Sequence, residues 1–220
     1  VLNDPNGRER LLALGVRNVP VVAKGTQFVF GQNLEDVAEF VGMQTGHTPL
    51  PPDQLIQKWI KVLRTAQVLI RQIPDDKITG RVIDNRDRSL RLLCHHVFRI
   101  GEAFLESAID GKEYAVQHAN VPPKDGTFMT GREIAAYGDT VIAKLEKWWA
   151  GLADKSCTEK MATFYGMQPM HQLFERSTWH SAQHVRQLTH VLEDRFKIEP
   201  QTRLTPQDVA GLPLPERLFE

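Results

Sequence analysis

The sequence predicts a mainly α protein, a four-helix bundle with a small N-terminal α/β segment in front of it. Three observations carry that expectation. Four stretches, each of roughly 20 residues, repeat apolar side chains at helical spacing. Their ends carry helix punctuation: prolines at entries and exits, and a Thr-x-x-Glu capping box at Thr130–Glu133. The β-rich runs are confined to the first segment of the chain, where a Gly-containing turn separates them.

Residues 1–43 form the first segment. Arg8 to Leu14 has a short helical pattern that stops at Gly15. Val19-Pro20-Val21-Val22-Ala23 and Gln27-Phe28-Val29-Phe30 flank Lys24-Gly25-Thr26, the pattern of a β-hairpin. Gly31 breaks the second strand, and Asn33 is placed to cap a helix from Leu34 to Val41 with Glu35 and Asp36 in its first turn. Residues 44–52, rich in Gly, Thr and Pro, read as a linker.

Residues 53–220 hold the bundle. The first long helix runs from about Asp53 to Ile73, with Leu55, Trp59, Val62 and Leu63 on its apolar stripe. A second runs from about Arg88 to Ile109. A third starts at Thr130 and carries Ile134, Val141, Leu145 and Trp148. A fourth starts near Pro169 and extends to about Phe196. The connections before the third and fourth, about twenty residues each, are longer than an idealised bundle needs. The Pro-rich tail, with Leu212-Pro213-Leu214-Pro215, is expected to pack back on the bundle.

Composition excludes several function classes. Of 220 residues, 41% are hydrophobic and 25% charged, the balance of a globular protein with a core. Lys plus Arg equals Asp plus Glu at 27 each, so the basic footprint of a nucleic-acid binder is missing. No apolar run approaches the roughly 20 residues of a membrane helix. Two cysteines, Cys94 and Cys157, make no disulfide framework and fit a cytoplasmic location, Cys94 as a small core residue.

The chemistry lies in the histidines. His180 and His184 stand at i and i+4 of the fourth helix, in register with Leu173, Ser177, Leu188 and Val191, so both imidazoles face the core. On the second helix His96 shares a face with Leu92, Leu93, Ile100 and Phe104, whereas His95 falls with Arg91, Arg99 and Glu102 and is expected to point outward. His171 and His190 lie off the stripe; His47 and His118 lie in loops. Three inward imidazoles fit a shared transition metal, His96, His180 and His184 being the ligands. The competing reading is core histidines hydrogen-bonded to each other or to Ser177. An all-nitrogen set suits Zn²⁺ or Ni²⁺, with Fe²⁺ and Mn²⁺ also open. Glu102 or Asp84 is placed to orient an imidazole; Gln187 and Gln183 are near in sequence, Gln183 on the solvated side.

Two resemblances add to this. The stretch from Arg8 to Val41 resembles the C-terminal half of a glutaredoxin, through Val19-Pro20 at the family's cis-proline and Gly31-Gln32-Asn33 before the last helix. The half with the redox cysteine has no counterpart, so thiol–disulfide chemistry is not expected. The resemblance implies that Val19, Pro20, Gly31, Gln32 and Asn33 lie where glutaredoxins hold glutathione. It also implies that a longer chain or another subunit covers the open strand edge. From Pro52 onward, Leu92-Leu93-Cys94-His95-His96 and His180-Ser181-Ala182-Gln183-His184-x-x-Gln187-Leu188 resemble the DinB/YfiT-like metalloprotein superfamily. That likeness implies a three-histidine divalent-metal site at His96, His180 and His184, and a homodimer.

Together these set the functional expectation: a metal-dependent transferase or isomerase that activates a low-molecular-weight thiol, with glutathione as cosubstrate and a small electrophile as partner. The alternatives are a non-enzymatic metal- or thiol-binding stress module and a metal-assisted hydrolase. No catalytic side chain beyond the metal ligands is singled out.

Overall fold

The computed structural model describes residues 6–44, 46–81 and 88–219, without the side chain of Val116. It divides into two compact units, Val1–Thr48 and Pro49–Glu220. Helices dominate, with two small antiparallel hairpins.

In the first unit, helix α1 (Gly7–Ala13) is followed by strands β1 (Val21–Lys24) and β2 (Gln27–Phe30) and helix α2 (Leu34–Val41). β1 and β2 pair antiparallel from Val21↔Phe30 to Lys24↔Gln27, turning through Gly25 at φ +64°. The hairpin and α2 lie where the sequence pattern puts them. The Val19–Pro20 peptide bond is cis, and Gly31 N–H donates to Pro20 O at 2.9 Å. Val19–Pro20 and Gly31–Asn33 thus meet at one end of the hairpin. The Asn33 side chain is occupied as the α2 cap, accepting from Glu35 N–H at 2.9 Å.

The second unit holds α3 (Pro52–Arg71), α4 (Leu90–Asp110), α5 (Val116–Ala119), α6 (Gly131–Gly151), β3 (Lys160–Thr163), β4 (Gly166–Pro169), α7 (Met170–His190) and α8 (Pro206–Val209). The helix ends obey local chemistry. Ser89 Oγ caps α4 by accepting from Leu92 N–H, Gly111 closes it at φ +67°, and the Thr130–Glu133 capping box opens α6.

The four long helices α3, α4, α6 and α7 pack on one another, with α3 and α4 each against both α6 and α7. Trp59, Phe104, Trp148 and Phe174, one from each, make the centre of the core. The Trp59 and Phe104 ring centroids are 5.4 Å apart, and those of Phe104 and Trp148 are 5.1 Å apart. One polar thread crosses this core. Trp59 Nε1–H donates to Ser181 Oγ at 3.0 Å, and Ser181 Oγ–H reaches Val97 O at 3.4 Å. Ser181 lies between His180 and His184, so the thread ties α3 and α4 to the stretch of α7 that carries both histidines.

The two long connections carry short elements of their own. The connection before α7 folds into the β3–β4 hairpin, which Tyr114 joins through its N–H to Ala162 O and its C=O to Phe164 N–H, at 2.8 and 3.1 Å. The connection before α6 contains α5. Beyond α7 the chain widens into a π-helical turn at Val191–Arg195. The tail packs back as expected: Leu212 is buried, and Leu204, Val209, Leu214 and Phe219 lie on the core. Among the described residues no helix is long and apolar enough to cross a membrane.

Candidate metal centre

His96 projects from α4, and His180 and His184 from adjacent turns of α7. One ring nitrogen of each lies within 4.8 Å of the other two. The ring centroids are 5.3 Å apart for His96–His180, 5.0 Å for His96–His184 and 4.8 Å for His180–His184. His96 and His184 are buried, and His180 is partly exposed.

Hydrogen bonding fixes which nitrogens face inward. His96 Nδ1 is 2.7 Å from Ala119 O, an obligate acceptor, so Nδ1 carries the proton and Nε2 the lone pair. His184 Nδ1 is 2.8 Å from Gln187 Oε1. The Gln187 amide is itself oriented, because its Nε2–H donates to Leu218 O at 2.9 Å. His184 therefore also donates through Nδ1 and turns the Nε2 lone pair inward. His180 Nε2 lies 3.1 Å from His184 Nε2, and His180 Nδ1 is buried with no hydrogen-bond partner.

Electrostatics keep two of the rings, His96 and His180, unprotonated. Burial pushes the His96 pKa well below the usual histidine value, and His184 and Arg88 push the same way. Burial does the same to His180, followed by His184, His96, Arg176 and Arg88. Neutral imidazoles with inward lone pairs are the form a transition metal binds. Tetrahedral coordination at about 2.0–2.1 Å needs nitrogens about 3.4 Å apart, a small adjustment of this cluster. The donor set is all nitrogen, matching the metals that favour imidazole.

The orienting groups differ from those expected. Glu102 does not touch a ligand imidazole: it accepts from Tyr137 Oη at 2.7 Å, Lys144 Nζ at 2.9 Å and Arg99 at 3.4 Å. Asp84 lies outside the described residues. Two backbone carbonyls, those of Ala119 and (through Gln187) Leu218, do the orienting instead.

Gln183 is not solvated. It is buried and donates to Arg217 O and Leu218 O at 2.9 and 2.8 Å, while Arg186 donates to its Oε1. His95 does not point outward either. It is buried, with its ring stacked on Tyr137 at 5.1 Å and 11° and against Phe128 at 5.4 Å. The cause is that α6 and the segment before it cover that side of α4. Ser177 Oγ is buried and bonds to none of the histidines.

The remaining residues are accounted for elsewhere. His171 Nε2 lies 2.6 Å from Leu50 O, and His190 pairs with Asp194 at 2.5 Å. Cys94 is fully buried with its thiol pKa pushed far up by burial, and burial pushes that of Cys157 up to about 11. Val19, Pro20 and Gly31–Asn33 belong to the first unit, where Pro20 and Gly31 pack together and Val19 is exposed. No family model, curated protein or solved structure matches the chain significantly.

Proposed function

We propose that residues 53–220 are a DinB-like four-helix bundle holding a divalent metal, Zn²⁺ or Ni²⁺, at His96, His180 and His184. The reaction we assign to it is transfer or isomerisation driven by a low-molecular-weight thiol. One observation carries this reading: two of the three imidazoles commit their Nδ1 protons to fixed acceptors, so their Nε2 lone pairs face the third ring. The His180 and His184 Nε2 atoms are 3.1 Å apart, a spacing that suits either one shared proton or one shared ion, and the third inward nitrogen, from His96, favours the ion.

When bound, such an ion supplies a Lewis acid that lowers the pKa of a thiol or water at its open positions. The chain does the rest. Ala119 O and Gln187 hold the rings so that nitrogen is presented without reorganisation, and Ser181 anchors the α7 turn between its two histidines. Burial excludes protons that would compete for the same lone pairs. Glutathione is the thiol of choice because the first unit resembles the part of a glutaredoxin that holds it.

The test is elemental analysis of protein purified without chelator or polyhistidine tag, followed by Co²⁺ substitution and addition of glutathione. The expected outcome is about one metal per chain, lost in His184→Ala, and a sulfur-to-cobalt charge-transfer band. Absence of first-row metal ends the proposal. A metal-loaded site whose spectrum ignores thiols turns it into a hydrolase or a storage site.

A further inference from the structure

A cleft of about 320 Å³ opens beside His96, bordered by Arg88, Leu92, His95, Val121 and Pro122. Leu92, His95 and His96 line it from the first two turns of α4, and Arg88 from the chain just before the Ser89 cap. Val121 and Pro122 come from the chain just after α5, whose Ala119 carbonyl holds His96. One wall of this cleft is therefore built on a ligand of the centre.

The wall has a polar group open to a ligand. His95 is 6% exposed overall, and its ring is clamped by Tyr137 and Phe128. No described residue hydrogen-bonds to its ring nitrogens, and neither is sealed from solvent, so a molecule in the cleft can bond there. Arg88 adds a planar cation, the group best shaped to pair with a carboxylate. Of the rest of the wall, Leu92, Val121 and Pro122 offer carbon, and Asn120 adds an amide. The volume is at the small end of the roughly 300–1,000 Å³ usual for ligand sites, and suits a small acid.

We propose that this cleft is the substrate subsite of the three-histidine centre and takes a small carboxylate-bearing molecule. Its carboxylate pairs with Arg88, an adjoining polar atom hydrogen-bonds to His95, and its carbon skeleton lies on Leu92, Val121 and Pro122. The inference rests on the metal-centre reading above and narrows its substrate to organic acids, thiol acids included.

Two thiols of similar size test it: 3-mercaptopropionate, which carries the carboxylate, and 2-mercaptoethanol, which does not. Each is titrated into the Co²⁺-loaded full chain while the charge-transfer band is followed. The carboxylate thiol is expected to bind about tenfold more tightly, the effect of one charge-assisted pair. Arg88→Gln is expected to bring the two affinities together with Co²⁺ stoichiometry unchanged. His95→Phe, which keeps an aromatic ring in the Tyr137–Phe128 slot, is expected to weaken the carboxylate thiol about threefold or more. Equal affinities in the wild type, or a preference that survives Arg88→Gln, overturn the subsite and leave the metal centre standing. Failure of the wild type to take up Co²⁺ overturns both. If His95→Phe loses its helical circular dichroism, the Arg88→Gln comparison decides alone.

Discussion

Gln187 shows how much of the centre depends on residues that touch no ligand position directly. It accepts from His184 Nδ1 at one end of its amide and donates to Leu218 O at the other, so the C-terminal tail sets the tautomer of a histidine on α7. Gln187→Leu removes both bonds and frees the His184 ring to rotate or to change tautomer. Metal affinity is expected to fall about 10–100-fold, measured by competition with a chelating dye. Gln187→Glu retains an acceptor for Nδ1–H and is expected to recover most of that loss. A Leu variant that binds metal as tightly as the wild type would show that the relay is decoration. The three clustered histidines were legible in the sequence because helical periodicity sorts His96, His180 and His184 onto apolar stripes. Their orienting carbonyls were not, since any residue at 119 or 218 supplies the same oxygen.

At the scale of elements, the long helices meet through glycines. A Cβ on Gly138 would lie 2.6 Å from the Phe98 ring, and one on Gly101 would lie 2.9 Å from Val141 Cγ1. At Gly131 the obstacle is the backbone oxygen of Ile70, which no rotamer change can move. Gly131→Ala gains up to about 1 kcal/mol of helix propensity but must separate α6 from the end of α3. The net effect is expected to be a loss of about 1–3 kcal/mol in urea unfolding, whereas Gly151→Ala, facing open space, is expected to be neutral or stabilising. Equal stability of the Gly131→Ala variant would refute the close approach.

The four long helices could be read from their apolar stripes and caps, whereas the short elements could not. Lys160-Met161-Ala162-Thr163 has no strand periodicity and Phe164-Tyr165 is no favoured turn, so β3–β4, with its ladder and its two bonds to Tyr114, leaves little trace in the sequence. The four residues of α5 are too few to show a period. The inward position of His95 was hidden for a related reason: the helix pattern places it among charged residues, and only the folded segment around Phe128 and Tyr137 covers it.

Over the whole molecule, equal numbers of acidic and basic residues leave no net charge, so the pH dependence of folding is governed by groups whose pKa the fold shifts. The buried histidines dominate near neutrality. Burial, then Arg99, lowers the His95 pKa to about 4, and His96 and His180 are also held well below the usual value. The unfolded chain takes up protons at these rings as pH falls through about 6.5, while the folded chain resists until much lower. The unfolded state thus binds more protons, and stability, complete above about pH 7, declines as pH drops below 6.5. His95 accounts for at most about 3 kcal/mol of this, spread from pH 6.5 down to about 4. Glu106, held below the usual carboxylate range by Arg99, adds its own loss only in more acidic solution. A divalent ion bound to the folded state alone raises stability further, and that increment must shrink over the same range because protons compete for the same nitrogens. Urea unfolding between pH 8 and 5, with and without Zn²⁺, is expected to show both declines together. A metal-free protein that becomes more stable between pH 7 and 5 would mean that these imidazoles are charged in the fold, and so unsuited to hold a cation.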